Sequence, residues 1–275
     1  MKNKFLIVLF VMAATLSGQF VFADATTDAD VSAQLKALVL KVRSDIQAGK
    51  TSEAALSDDL KQFDALLAAH KGEKTDAVAQ ILYVKATLYA QVIQNTAKAD
   101  ALMKQLTNDY SGTKFVAAIQ QQQVQDAAVA KIQSQLAVGS QFPDFNVTDV
   151  NGKSLSVADF KGKVVMIDFW ATWCGPCRGE IPNVVATYQK YHDKGFDIIG
   201  ISLDQEQQKL LDFTKQNNMA WPQYFDGLGW GNKLAVKYGI QSIPMDYLLD
   251  GNGKIIGKDL RGDALETAVA KAVGQ

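Results

Sequence analysis

Val164-Val165-Met166-Ile167-Asp168-Phe169-Trp170-Ala171-Thr172-Trp173-Cys174-Gly175-Pro176-Cys177 is the stretch on which the fold turns. Its first half, Val164 to Trp170, is a near-continuous apolar run, the pattern of a strand buried on both faces. Its second half carries the chain's two cysteines. Gly175 to Lys194 then reads as a helix, so the cysteines sit where a buried strand gives way to a helix. Cys174 falls at the helix N-terminus, where unpaired backbone N–H groups and the macrodipole favour a thiolate. The thiolate, not the thiol, attacks a disulfide. Gly175 permits the tight turn, and Pro176 is tolerated in the first helical turn, where a missing N–H loses no partner. Cys177 lies one turn further in, within reach of a mixed disulfide on Cys174. Cys174 is therefore read as the nucleophile and Cys177 as the resolving thiol.

Working outward, residues 138–275 keep alternating strand-like and helical runs, with Pro143, Pro176, Pro182, Pro222 and Pro244 all in this half. Phe145–Val150 and Ser154–Val157 flank Asn151-Gly152, a two-residue hairpin signal. Phe196 to Leu203 reads as a second buried strand and Gln205 to Asn217 as a helix, followed by a shorter helix at Asn232 to Tyr238. Tyr247 to Leu249 and Lys254 to Gly257 are strands around Asp250-Gly251-Asn252-Gly253, and Asp263 to Val273 closes as a helix. Alternating elements with a final hairpin predict an α/β domain with a mixed sheet.

Residues 24–137 have a different grammar. They contain no Pro and are rich in Ala, Gln, Leu, Lys and Asp. Apolar positions recur at helical spacing, as in Leu35, Leu38, Val39, Val42 and Ile46. Breaks fall at Gly49-Lys50-Thr51-Ser52, His70-Lys71-Gly72, Asn95-Thr96 and Ser111-Gly112. About five helices in antiparallel hairpins follow, an all-helical domain ahead of the α/β one. Ala99–Ala117 is faintly similar to a tetratricopeptide-type hairpin, but no self-similarity near a 34-residue period supports a repeat. The boundary is placed near Val138-Gly139-Ser140.

The N-terminus reads as a targeting segment. Lys2 and Lys4 precede the apolar run Phe5 to Leu16, and Val21-Phe22-Ala23 supplies small residues before Asp24. That is the layout of a cleavable secretory signal peptide over residues 1–23, cut after Ala23. An uncleaved anchor is the alternative, although the apolar core is short for a membrane span. The formal net charge of -1 gives no sign of a nucleic-acid partner. In an exported chain several cysteines commonly serve as staples. Here the single pair closes a loop too short to add much stability through chain entropy, so its bridge reads as chemistry. A structural zinc site needs four ligands, and a haem attachment needs His where Arg178 stands. No metal and no cofactor is implied.

On these residues the C-terminal half resembles thioredoxin. Gly179-Glu180-Ile181-Pro182, the leading Gly139-Ser140-Gln141-Phe142-Pro143-Asp144-Phe145 and the Asn151-Gly152 hairpin narrow the resemblance to the TlpA/ResA-like exported thiol-disulfide oxidoreductases. It covers roughly residues 138–275 and says nothing of residues 24–137. The resemblance implies a thioredoxin-like fold and further roles. Pro244 matches the cis-proline that faces the dithiol, with the Ile243 backbone pairing with the client chain. Trp173, Gly175 and Pro176 join them as substrate-facing residues, although a packing aromatic would look the same as Trp173. Asp168 matches the buried acid that accepts a proton from Cys177. The strand Ile198-Ile199-Gly200-Ile201 offers no Lys to pair with it, unlike thioredoxin. Glu180 matches an acid that adjusts the thiol pair; a first-turn Glu favoured by the helix dipole is the equal alternative. Met245-Asp246-Tyr247 departs from the small hydroxyl residues usual after the proline, which leaves Asp246 without an account.

The function implied is exchange of disulfides with exported protein clients, as a reductase, with electrons drawn from a membrane thiol donor. One alternative is a peroxiredoxin-like peroxidase, but Ile167 and Ala171 stand where that family's pattern has Pro and Thr/Ser. Another is an assembly factor whose helical half docks a partner or dimerises.

Overall fold

A computed structural model describes residues 26–274. The expected signal peptide and its cleavage after Ala23 fall outside the described residues. The chain divides into two compact units, one ending at Val124 and one running Gln125–Gln275. Among the described residues no helix is long and apolar enough to cross a membrane.

The first unit is helical. Helices α1 (Thr26–Gln47), α2 (Ser57–Ala69), α3 (Asp76–Leu88) and α4 (Thr96–Asp109) follow one another, and α5 (Lys114–Gln135) begins here. The breaks lie where Gly, Ser and Asn interrupt the periodicity. Thr75 and Asn95 cap α3 and α4 by accepting the N–H of Val78 and Lys98. A π-turn, Tyr89–Ile93, ends α3. The apolar stripes meet in one core that includes Val42, Phe63, Ile81, Leu88 and Leu106.

The second unit is built on a five-stranded sheet of order β5-β4-β3-β6-β7. The strands are β3 (Val164–Trp170), β4 (Phe196–Ser202), β5 (Gln223–Phe225), β6 (Met245–Leu249) and β7 (Ile255–Lys258). A separate hairpin, β1 (Val147–Thr148) with β2 (Ser154–Leu155), flanks Asn151-Gly152 and is shorter than its apolar pattern suggests. Strands β3, β4 and β5 are parallel, and β6 and β7 return antiparallel. Every residue of β3 and β4 is buried, as parallel strands covered on both faces require. Helix α6 (Gly175–Tyr191) leaves β3, and α7 (Gln207–Gln216), α8 (Lys233–Lys237) and α9 (Asp263–Ala272) complete the unit. Strand β5 was not anticipated, because three residues beside Pro222 carry no readable alternation.

Two faces of the central sheet have different character. Phe142, Phe169, Tyr238 and Tyr247 form one aromatic cluster. Gln133 joins it from the end of α5. Its Nε2 donates to the carbonyls of Tyr238 (2.7 Å) and Gly239 (3.2 Å), and its Oε1 accepts from Tyr247 (3.2 Å) and Lys258 (2.7 Å). The residues from Gln125 onward thus pack with the C-terminal unit although their composition is that of the helical half. On the other face, Met166, Asp168 and Trp170 lie against Cys177, Ile181 and Val184 of α6 and Leu265 of α9.

Candidate active site

Both cysteines lie at the β3–α6 turn. Cys174 takes extended backbone angles (φ -81°, ψ 108°) and caps α6, while Pro176 occupies its first turn. The backbone N–H of Cys177 donates to the Cys174 sulfur at 3.2 Å. This is the helix-terminal amide expected to favour negative charge on that atom. Cys174 and Cys177 are joined in a disulfide, with Cα atoms 5.3 Å apart. Both are buried.

The turn before it is braced by a residue the sequence reading did not single out. Buried Asp204, just past β4, accepts the Thr172 N–H (3.1 Å), the Thr172 hydroxyl (2.6 Å) and the Ser202 hydroxyl (2.8 Å). Its only sequence signal is an acid directly after an apolar strand, a position many loops share.

The loop ahead of β6 closes the other side. The Ile243–Pro244 peptide bond is cis, and the Ile243 carbonyl oxygen lies 3.7 Å from Cys174 Sγ. Trp173 is 53% exposed, and its ring centroid is 6.2 Å from that of Trp230, itself 49% exposed. The two exposed rings put an apolar patch next to Cys174. Gly175 and Pro176 are exposed at the same turn.

Behind the disulfide, a small cavity is lined by Asp168, Cys177, Glu180, Pro244, Asp246 and Arg261. Burial, and then the neighbouring Asp246 carboxylate, push the Asp168 pKa up to about 7, while Arg261 opposes them. Asp246 is also raised by burial, against the pull of Arg261. Glu180 lies in the second turn of α6, beyond the first-turn position one reading gave it. Its carboxylate accepts the N–H of Gly262 at 2.9 Å, the residue that precedes α9 with φ 50°. Glu180 therefore ties α6 to the start of α9 while bordering the cavity. Among the described residues, no group of three or more His, Cys, Asp or Glu is placed to hold a metal.

A disulfide at a strand-to-helix turn, a cis-proline loop and a buried acid thus lie side by side. The sequence profile of the AhpC/TSA family matches residues 138–258. Over 131 residues the chain is 35% identical to thiol-disulfide oxidoreductase ResA of Bacillus thuringiensis subsp. konkukian, covering 48% of this chain and 73% of that protein. The chain belongs to the ResA-type thiol-disulfide oxidoreductases. ResA of Bacillus subtilis is 28% identical over 134 residues, covering 49% of this oxidoreductase and 73% of its relative. A crystal structure of the thioredoxin domain of a thiol-disulfide oxidoreductase from Bacteroides vulgatus is 37% identical. It covers 50% of this chain and 99% of its own, with a TM-score of 0.47. All three alignments cover about half of this ResA-type chain.

Within this oxidoreductase, Asp246 and Arg261 are the polar neighbours of Asp168 that the sequence reading left unexplained or missed. They are fifteen positions apart, and the β6–β7 hairpin brings them together.

Proposed function

We propose that this oxidoreductase is exported and reduces disulfides in protein clients. The observation that carries the reading is the Cys174–Cys177 bridge at the start of α6, with Asp168 and Cys177 bordering one buried cavity behind it.

In the proposed cycle the reduced chain presents a Cys174 thiolate, held by the helix N-terminus. It attacks one sulfur of a client disulfide in line, forming the Cys174–client bond and releasing the other client sulfur as a thiolate that takes a proton from solvent. Asp168 then accepts the Cys177 thiol proton. The Cys177 thiolate attacks Cys174 Sγ, closing the internal disulfide and expelling the second client sulfur. Two electrons pass from the dithiol to the client. A membrane thiol donor would restore the dithiol. A proton acceptor with a pKa near 7 suits the resolving step at neutral pH. The client backbone pairs with Ile243 beside Pro244, and Trp173, Gly175 and Pro176 form the contact surface. Glu180 adjusts the thiol pair by holding α6 to α9. The helical unit docks a client or a second copy. The signal-peptide layout of residues 1–23 supports export.

A redox titration with insulin reduction tests the direction. Reduction of insulin at a potential well below about -120 mV supports the reductase reading; a potential near that of a strong dithiol oxidant overturns it. Trapping with Cys177→Ala in an exporting cell tests the clients. Recovery of exported proteins bound through Cys174 is expected, and recovery of none overturns the client assignment.

A further inference from the structure

A carboxylate in a buried strand needs a countercharge, a proton or a hydrogen-bonded cradle. Asp168 has a different neighbour on each side of β3. Its register partner on β4 is Gly200. A Cβ added to Gly200 would lie 2.1 Å from Gln223 Oε1, so the Gln223 amide fills the room above that position. The same Oε1 accepts the indole N–H of Trp170 at 3.0 Å, which holds the amide there. Any side chain on β4 opposite Asp168 would have to displace the Gln223 amide.

On the other side the register partner is Asp246. Residues directly opposite in neighbouring strands project to the same face, and both acids border the same cavity. Asp246 is 1% exposed. Its carboxylate accepts the N–H of Leu260 at 3.1 Å and pairs with Arg261. Arg261 also donates to the Pro244 carbonyl at 2.6 Å, the Leu260 carbonyl at 2.6 Å and Asp259 at 2.7 Å. One guanidinium thus holds both the second acid and the carbonyl of the proline that flanks the disulfide.

We infer that Asp246 and Arg261 are the charge pair that sets how readily Asp168 takes the Cys177 proton. They come from β6 and the loop after β7, whereas β4 carries no cationic residue. Both are positioning residues and touch no reacting atom. The anion next to Asp168 favours its protonated form, and the cation behind it limits that effect; this is the balance reported by the raised Asp168 pKa and its causes. The other titratable side chains bordering the cavity among the described residues are Cys177 and Glu180 from α6, and α9 contributes the apolar Leu265. Gln223 on β5 is neutral, and Asp259 is engaged by Arg261.

The inference rests on the proposed role of Asp168 as proton acceptor. Its test reads the carboxyl itself, so either idea can fail without the other. The carboxyl carbon resonance of Asp168, assigned with Asp168→Asn, is followed against pH in the oxidised full chain. Asp246→Asn removes the anion and leaves the cation, so the Asp168 midpoint falls by about one pH unit. Arg261→Gln removes the cation, so the carboxyl pair gives up its protons at higher pH and the midpoint rises. Arg261→Lys returns the midpoint towards the native value. A purely structural pair would leave the midpoint in place or move it the same way in both charge-removing variants, and either result overturns the proposal. If Arg261→Gln does not fold, the isosteric Asp246→Asn and the conservative Arg261→Lys decide. An acid shift in the first with a midpoint close to native in the second supports the pair; no acid shift in the first, or a second midpoint well away from native, refutes it.

Discussion

The two units treat buried charge differently. In the helical unit each buried charge meets one opposite partner that reaches water. Buried Asp59 pairs with Lys41, which is about half exposed, and buried Lys85 pairs with Asp64, which is exposed. In the C-terminal unit, Asp197 has the same kind of partner in Lys163, yet Asp168 faces a second buried acid across the strand pair. Among the described residues, the only cation bordering their cavity is already bound to that second acid. An uncompensated carboxylate lowers stability once it ionises. The difference separates buried charges that have a solvated partner from one whose strand neighbour is a second buried acid. Groups whose environments push their pKa away from its ordinary value cluster where protons must move.

The sharpest way to break this contrast is at the sulfur. Cys174→Ser removes the proposed nucleophile and should abolish insulin reduction, while the circular dichroism spectrum of the full chain stays native. Retained reduction would transfer the chemistry elsewhere.

Asp168→Asn comes next. Exchange should slow by about 10²-fold near neutral pH, the usual contribution of a positioned proton acceptor. Stability should move the other way. The folded-state pKa of Asp168 is raised from 3.8 to about 7. Between those values the folded chain binds a proton that the unfolded chain has lost, so wild-type stability falls as pH rises through this window. The loss is complete above about pH 7 and amounts to at most about 4 kcal/mol. Asn cannot ionise. The variant's thermal midpoint should therefore drop less than that of wild type between pH 5 and pH 8. A steeper drop would mean that the acid is structural.

Much of this was legible in the residues. Val164 to Trp170 and Phe196 to Leu203 read as buried strands because both faces are covered, which leaves no alternation to misread. Cys174 read as a helix cap because Gly175 and Pro176 follow it. The five helices of residues 26–135 end where Gly, Ser and Asn break their stripes. What stayed hidden depends on pairing between strands. Asp246 stands out as a departure after Pro244, but its meaning needs the register that sets it opposite Asp168, and its partner Arg261 lies beyond a hairpin with a bulge at Leu248/Leu249. Gln223 lies in a strand too short to announce itself. Asp204 is one acid among many until its hydrogen bonds to Thr172 and Ser202 are seen.

The border between the units gives a smaller effect. Composition changes near residue 138, whereas packing changes at Gln125. A chain beginning at residue 125 keeps Gln133 and the fully buried Leu136. One beginning at residue 138 leaves the Tyr247 hydroxyl and the Lys258 ammonium without Gln133 Oε1 and exposes the apolar surface under Leu136. The shorter chain should be less stable by about 2–4 kcal/mol in urea unfolding. Equal stability would place the working boundary at the compositional change.

The smallest effect should come from the helical unit's own buried cation. Lys85 is 7% exposed, and its partner Asp64 is mostly in water. Removing one member of a buried pair is costly when the other is left buried and unpaired. Here the abandoned group is a solvated carboxylate, which loses little. Met is close to the Lys stem in length and carries no charge to desolvate. Lys85→Met should therefore change the unfolding free energy by less than about 1 kcal/mol and leave insulin reduction untouched. The paired substitution Asp168→Asn, with its altered rate and pH slope, would then separate a charge carried for packing from a charge carried for proton transfer. A large loss of exchange in Lys85→Met would instead make the helical unit a participant in the redox step.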